Sequence, residues 1–235
     1  MPRINFQQQL AALKDKLLAM ASLSQQALEL AVEAYLQRDM GLCHHVDDIE
    51  AAINAADRDV DEMAYELLAK EQPMAIDLRF LLAVIKINGD LERVGDQAAA
   101  IVKRCRELQA AVGDIGPETL PGDIAGMGEV AVKMIQLAIR SLLDGDADLA
   151  ERVLEMDDEI DRMNHEAQNA LREEMTRRPE STENALNSII VARNLERSAD
   201  HATNIAEDVI FWVRGADVRH TFTQAANHQP QTAAE

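Results

Sequence analysis

Two short stretches of this sequence carry paired acids at helical spacing. Asp90-Leu91-Glu92-Arg93-Val94-Gly95-Asp96 recurs 104 positions later as Asn194-Leu195-Glu196-Arg197-Ser198-Ala199-Asp200. Residues four apart on a helix lie on one face, so Glu92 pairs with Asp96 and Glu196 with Asp200. A second set stands upstream of each. Glu50 and Asn54 flank Ile53, and Asp157 and Asp161 flank Ile160. Asp57 and Asp61 extend the first stripe; Asn164, His165 and Gln168 extend the second, and Glu207 extends the last.

These carboxylates share helix faces with apolar residues. Glu92 and Asp96 lie on the side of Leu81, Ile85 and Ala99, and Glu196 and Asp200 on the side of Ile189, Ala192 and Ile210. An acid on a partly apolar face needs compensation, because an unpaired buried charge is costly. Arg79, Arg93, Arg193 or Arg197 could supply ion pairs. Alternatively, a metal ion held between two helices could take two oxygens from each. Oxygen donors suit hard cations such as magnesium and manganese, or iron. A lone Glu-x-x-x-Asp is common on solvated faces; duplication with a matching upstream pair is not. His201 could add a nitrogen ligand.

The elements that position these residues follow from hydrophobic periodicity. Leu10, Leu13, Leu17, Met20, Ala27, Leu30, Ala31 and Ala34 predict a helix over about 4–38. Val46, Ile49, Ile53, Val60, Met63, Ala64 and Leu67 predict a second over about 42–71, ended by Gln72-Pro73. A third, apolar on several sides, spans about 75–108. The stretch 112–123 contains Gly113, Gly116, Pro117, Pro121 and Gly122, which no helix crosses. Three further helices follow over about 124–143, 148–177 and 182–214, and residues 221–235 form a polar, patternless tail. The upstream pairs are related by 107 positions and the downstream pairs by 104, so the connection between them differs by three residues around Pro73 and Pro179. The expected fold is all-α: two tandem, pseudo-symmetric three-helix bundles of six long helices, over 1–111 and 124–220.

Composition narrows the function. Of 235 residues, 42 are acidic and 23 basic, a formal net charge of −19. Such a surface repels phosphate backbones and anionic lipid, so nucleic acid is not an expected partner. Aromatic residues make up only 3%, favouring helix over sheet. Two cysteines, Cys43 and Cys105, are too few for a disulfide framework or a cysteine zinc site. No apolar run reaches membrane-spanning length, and 1–16 lacks the apolar centre of a secretory leader; a cytoplasmic protein is expected. The Glu-x-x-His pairs of di-iron bundles are missing, since Arg162 and Ser198 stand three before His165 and His201. There is no phosphate-binding glycine loop, nucleophile elbow or His-Glu-x-x-His, and no enzyme is expected.

Three stretches together resemble the PhoU family of accessory proteins of bacterial phosphate-specific transport. They are Gln72-Pro73-Met74-Ala75-Ile76-Asp77-Leu78-Arg79, then 90–96 as quoted above, and then 192–207, which contains Asn194-Leu195-Glu196-Arg197-Ser198-Ala199-Asp200-His201. Val213-Arg214-Gly215 through Val218-Arg219-His220 is similar to the family's C-terminus. The likeness covers about 6–220. It implies metal clusters held by Glu/Asp-x-x-x-Asp pairs, here Glu50, Asn54, Glu92 and Asp96, and Asp157, Asp161, Glu196 and Asp200. The metal would be divalent or trivalent: iron, zinc, magnesium or manganese. The resemblance further implies negative regulation of phosphate uptake and of the phosphate-starvation response, by a homodimer bridging the transporter ATPase and a membrane sensor histidine kinase. A metal-storage or redox bundle and a metal-free scaffold are the alternatives. Two positions depart from the family pattern. Asn54 is neutral where the second half has Asp161, which would weaken or reshape the first site and makes the second the stronger one expected, and Ser198-Ala199 stands where Val94-Gly95 fits the family's apolar residue and Gly.

Overall fold

The computed structural model describes residues 2–112 and 120–215, with side chains for 5–110 and 120–215. Most of the expected 112–123 linker and the whole 221–235 tail lie outside the described residues. The elements are α1 (Pro2–Gln37), α2 (Met40–Glu71), α3 (Ile76–Val112), α4 (Ile124–Asp144), α5 (Ala147–Glu155), α6 (Asp157–Arg177), a short 3-10 turn (Pro179–Ser181) and α7 (Thr182–Arg214). The described residues contain no strand. The fold is all-α, built as two tandem three-helix bundles.

Short polar punctuation sets the boundaries. Asp39 caps α2 by accepting from the N–H groups of Gly41 and Leu42, Asp123 caps α4 through Gly126, and Asp146 caps α5 through Leu149. Gly145 (φ 63°) and Gly215 (φ 71°) end α4 and α7 in the left-handed conformation that costs glycine little.

One predicted helix differs. The span 148–177 carries a joint at Met156, which divides it into α5 and α6. Met156 keeps a right-handed backbone (φ −84°, ψ −12°), and its N–H bonds Val153 in a tighter turn. The six-rod plan is therefore kept, with the fifth rod jointed. The joint places Asp157, Asp158 and Glu159 in the first turn of α6, where an anion is favoured by the helix dipole.

Within the first half α1, α2 and α3 pack on one another. In the second, α7 packs along α4, α5 and α6. The halves join where α3 lies along α7 and α1 against α4, and buried apolar residues of both form one contiguous core. Leu13, Leu17, Met20, Ile53, Leu81, Leu91, Met127 and Met134 are fully enclosed. Two close approaches fix the helix spacing. A Cβ on Gly128 (α4) would sit 2.6 Å from Val32 of α1, and one on Gly95 (α3) 3.0 Å from Ile53 of α2. Cys43 and Cys105 are buried free thiols; burial pushes both up, Cys105 to about 12, so neither is poised to react.

The α3–α7 seam is polar at its centre. His201 Nδ1 lies 2.9 Å from Asp90 Oδ1, Asn204 donates to the same oxygen at 3.3 Å, and Lys86 donates to Asp208 at 2.7 Å. Nearer the end of α7, Arg79 Nε donates to the Trp212 carbonyl and Phe80 packs against the Trp212 ring at 5.0 Å.

Candidate metal centre

The second cluster lies between α6 and α7. Asp157 and Asp161 come from the first two turns of α6, Glu196 and Asp200 from the middle of α7. Asp157 is half-buried, and its Oδ1 is enclosed with no hydrogen-bond partner among the described residues. Its carboxyl is pushed up to about 6, first by burial and then by Asp161, Asp158 and Glu196. Asp200 is also pushed up to about 6, by burial and then by Glu196, Asp157 and Asp161, against a small opposing pull from His201. Burial and Asp161 raise Glu196, with Arg193 and Arg197 opposing. The four expected residues are thus close enough to repel one another.

The first cluster lies between α2 and α3 and is built differently. Asn54 donates to Glu50 at 2.6 Å, so this pair is closed on itself. Glu92 is raised by burial first, then by Asp96, Asp57 and Glu50. Asp57 stands ahead of Glu50 in that order. It is anchored by Asn88, a fully buried side chain whose Nδ2 reaches the Asp57 carbonyl (3.0 Å), Asp57 Oδ1 (2.7 Å) and Asp61 Oδ1 (3.2 Å). Burial and Asp61 raise Asp57 in turn. The Oδ1 of Asn88 is enclosed without a partner among the described residues. Asp57 and Asp61 therefore stand beside the first set as acids that Asn54 does not supply. Asn88 was missed as a cluster residue; its position four before Glu92, on the same stripe, was the available signal.

Arginine compensation is partial: Arg193 and Arg197 oppose the rise of Glu196, Arg93 that of Glu92 and Arg58 that of Asp57. Arg93 approaches Asp90 at 3.8 Å, Arg79 bonds the Trp212 carbonyl and Arg162 pairs with Glu166. His201 is committed through Nδ1 to Asp90, and Gln168 bonds Asn164 at 3.0 Å. Among the described residues no three His, Cys, Asp or Glu side chains are closed around a point that would hold a metal ion. The clusters are open, acidic and oxygen-lined. Enclosed oxygens without donors (Asp157 Oδ1, Asn88 Oδ1) and mutually raised carboxylates fit a hard cation, which would satisfy both.

The PhoU domain model matches the chain twice, over residues 17–105 and 124–209, each match spanning one bundle. The chain belongs to the PhoU family. A "Phosphate-specific transport system accessory protein PhoU homolog" of Pseudomonas aeruginosa is 38% identical over 222 residues, covering 92% of this chain and 88% of that protein. A similarly named homolog of Thermotoga maritima is 31% identical over 216 residues, 92% of each. Among solved structures, PhoU from Pseudomonas aeruginosa superposes with a TM-score of 0.85 at 36% identity, covering 90% of this chain and all of that one. The PhoU of Streptococcus pneumoniae shares the fold, with a TM-score of 0.79 at 23% identity. Membership in the PhoU family agrees with the tandem repeat and with the sequence resemblance.

Proposed function

We propose that this chain is a regulatory accessory protein of phosphate transport, whose two helix pairs, α2–α3 and α6–α7, are each locked by metal. The observation that supports this most is the second cluster: Asp157, Glu196 and Asp200 are each pushed up by burial and by neighbouring carboxylates, Asp161 among them, with Arg193 and Arg197 opposing only at Glu196 and His201 only at Asp200. Oxygen donors from two helices would hold a divalent or trivalent cation and clamp those helices together. Asp57, Asp61 and Glu92, with Asp96, would do the same in the first half. The relatives, named accessory proteins of a phosphate-specific transport system, support the regulatory role over catalysis.

In this reading the protein works by contact. It restrains phosphate uptake and the starvation response by bridging the transporter ATPase and a sensor histidine kinase, as a homodimer. Among the described residues no helix is long and apolar enough to cross a membrane, so membrane attachment would come through partners. The test is complementation of a strain lacking the gene and carrying a phosphate-starvation reporter. The wild-type chain represses the reporter in phosphate-rich medium and captures the ATPase subunit from membranes. A chain that folds but neither represses nor captures overturns the proposal.

A further inference from the structure

A second site lies away from the carboxylate clusters, where the two bundles meet at the end of α1. The chain leaves α1 at Arg38 with φ 57°, a left-handed backbone usually given to Gly or Asn at a helix C-terminus. An arginine there is an unfavourable choice for the turn alone. Its side chain instead reaches α7, where Nη2 donates to Asn184 Oδ1 at 3.0 Å. Nη1 is buried and has no acceptor among the described residues. In a chain with 42 acidic residues and 23 basic ones, a buried guanidinium nitrogen without a carboxylate is conspicuous, and leaving it unpaired is expensive.

Arg38 lines a cavity of about 270 Å³, together with Tyr35, Asn184, Ser188 and Asp123. The neighbouring hydroxyls are already used. Ser188 Oγ donates to the Asn184 carbonyl at 3.0 Å, so Tyr35 supplies the proton of its 2.8 Å bond to Ser188. That leaves the Arg38 guanidinium as the cationic donor of the cavity and Asp123 as its anionic acceptor. Asp123 Oδ1 accepts the Gly126 N–H at 2.8 Å as the cap of α4, and a carboxylate accepts several hydrogen bonds at once.

The geometry points to a binding site for a small protonated oxyanion of the hydrogenphosphate class, held between Arg38 and Asp123. An anionic oxygen would satisfy Arg38, as guanidinium–oxyanion pairs do, and the ligand's own O–H would donate to Asp123. A fully ionised oxyanion such as sulfate has no proton for Asp123 and would be repelled. The site draws on α1, α4 and α7, so its occupant would tie the two bundles together. It does not depend on the metal clusters.

The test is calorimetric titration of the full-length chain with inorganic phosphate and, separately, sulfate at pH 7.5. EDTA is kept present so that metal-held phosphate does not contribute. Wild type should bind one phosphate per chain and give no sulfate signal. Arg38→Gly suits the left-handed turn, so it should melt at or above the wild-type temperature while binding phosphate at least tenfold more weakly. Asp123→Asn keeps an α4 cap and should lose the discrimination against sulfate. Absence of phosphate binding by wild type, unchanged binding by Arg38→Gly, or equal binding of sulfate by wild type overturns the proposal.

Discussion

Asp157→Asn should make the metal-free protein more stable while weakening its hold on a cation. The Asp157 carboxyl is pushed up to about 6, about two units above an ordinary aspartate. At about 1.4 kcal/mol per unit this corresponds to about 3 kcal/mol of unfavourable charge in the folded state. Solvent reaches one side of the group and the start of α6 favours an anion, so the effective penalty falls to about 1–1.5 kcal/mol. For a chain of this size 1 kcal/mol moves the melting temperature by about 2–4 °C. Asp157→Asn in EDTA at pH 7.5 should therefore melt about 2–6 °C above wild type. The pH dependence has a definite sign. The folded state keeps its proton to higher pH than the unfolded chain, so metal-free wild type loses stability as pH rises from about 4 through about 6. Asp200, also raised to about 6, contributes in the same direction. The substitution should flatten part of that loss. Adding a divalent cation should reverse the ranking, since wild type gains a ligand-linked stabilisation that the variant largely lacks. Thermal melts at several pH values, with EDTA or with metal, read all of this. If Asp157→Asn melts below wild type in EDTA, or leaves the pH slope unchanged, the repulsion argument is wrong.

The first half and the bundle junction give two further tests. Asn88→Ala removes the only side-chain amide that bonds both Asp57 and Asp61 among the described residues and opens space at a fully buried position; urea unfolding should show a loss of about 2–3 kcal/mol. Gly128→Val would place a Cβ 2.6 Å from Val32, so overpacking between α1 and α4 should cost about 1–3 kcal/mol. Val32→Ala should recover part of that loss, and strict additivity in the double variant would contradict the contact.

Much of the architecture was legible because helices announce themselves by period and punctuation. Asp39, Pro73, Gly145 and Gly215 mark ends that the structure keeps. The joint at Met156 was not legible: Val153, Leu154, Met156 and Ile160 continue the apolar spacing through it, with no Gly or Pro to mark a break. Asp157, Glu196 and Asp200 stand near enough, with Asp161, to push up one another's carboxyls, as residues at that spacing on two neighbouring helices can. In the first set Glu50 and Asn54 satisfy each other while Asp57 presses on Glu92, a pairing that spacing alone does not reveal. Sequence spacing places residues on a face; it does not say which partner across the groove they meet. The same limit hid the His201–Asp90 bond and the Arg38 cavity, whose partners are 111 and 146 residues apart in the chain.

The central claim is that the repeated acidic pairs are cation sites. Its most direct measurement is metal content and titration of EDTA-stripped protein, comparing wild type with Glu196→Gln/Asp200→Asn. The account predicts that wild type takes up metal in both halves. The double variant should lose the share of the second half, keep that of the first and remain folded. Equal stoichiometry and affinity in the two proteins would contradict the account.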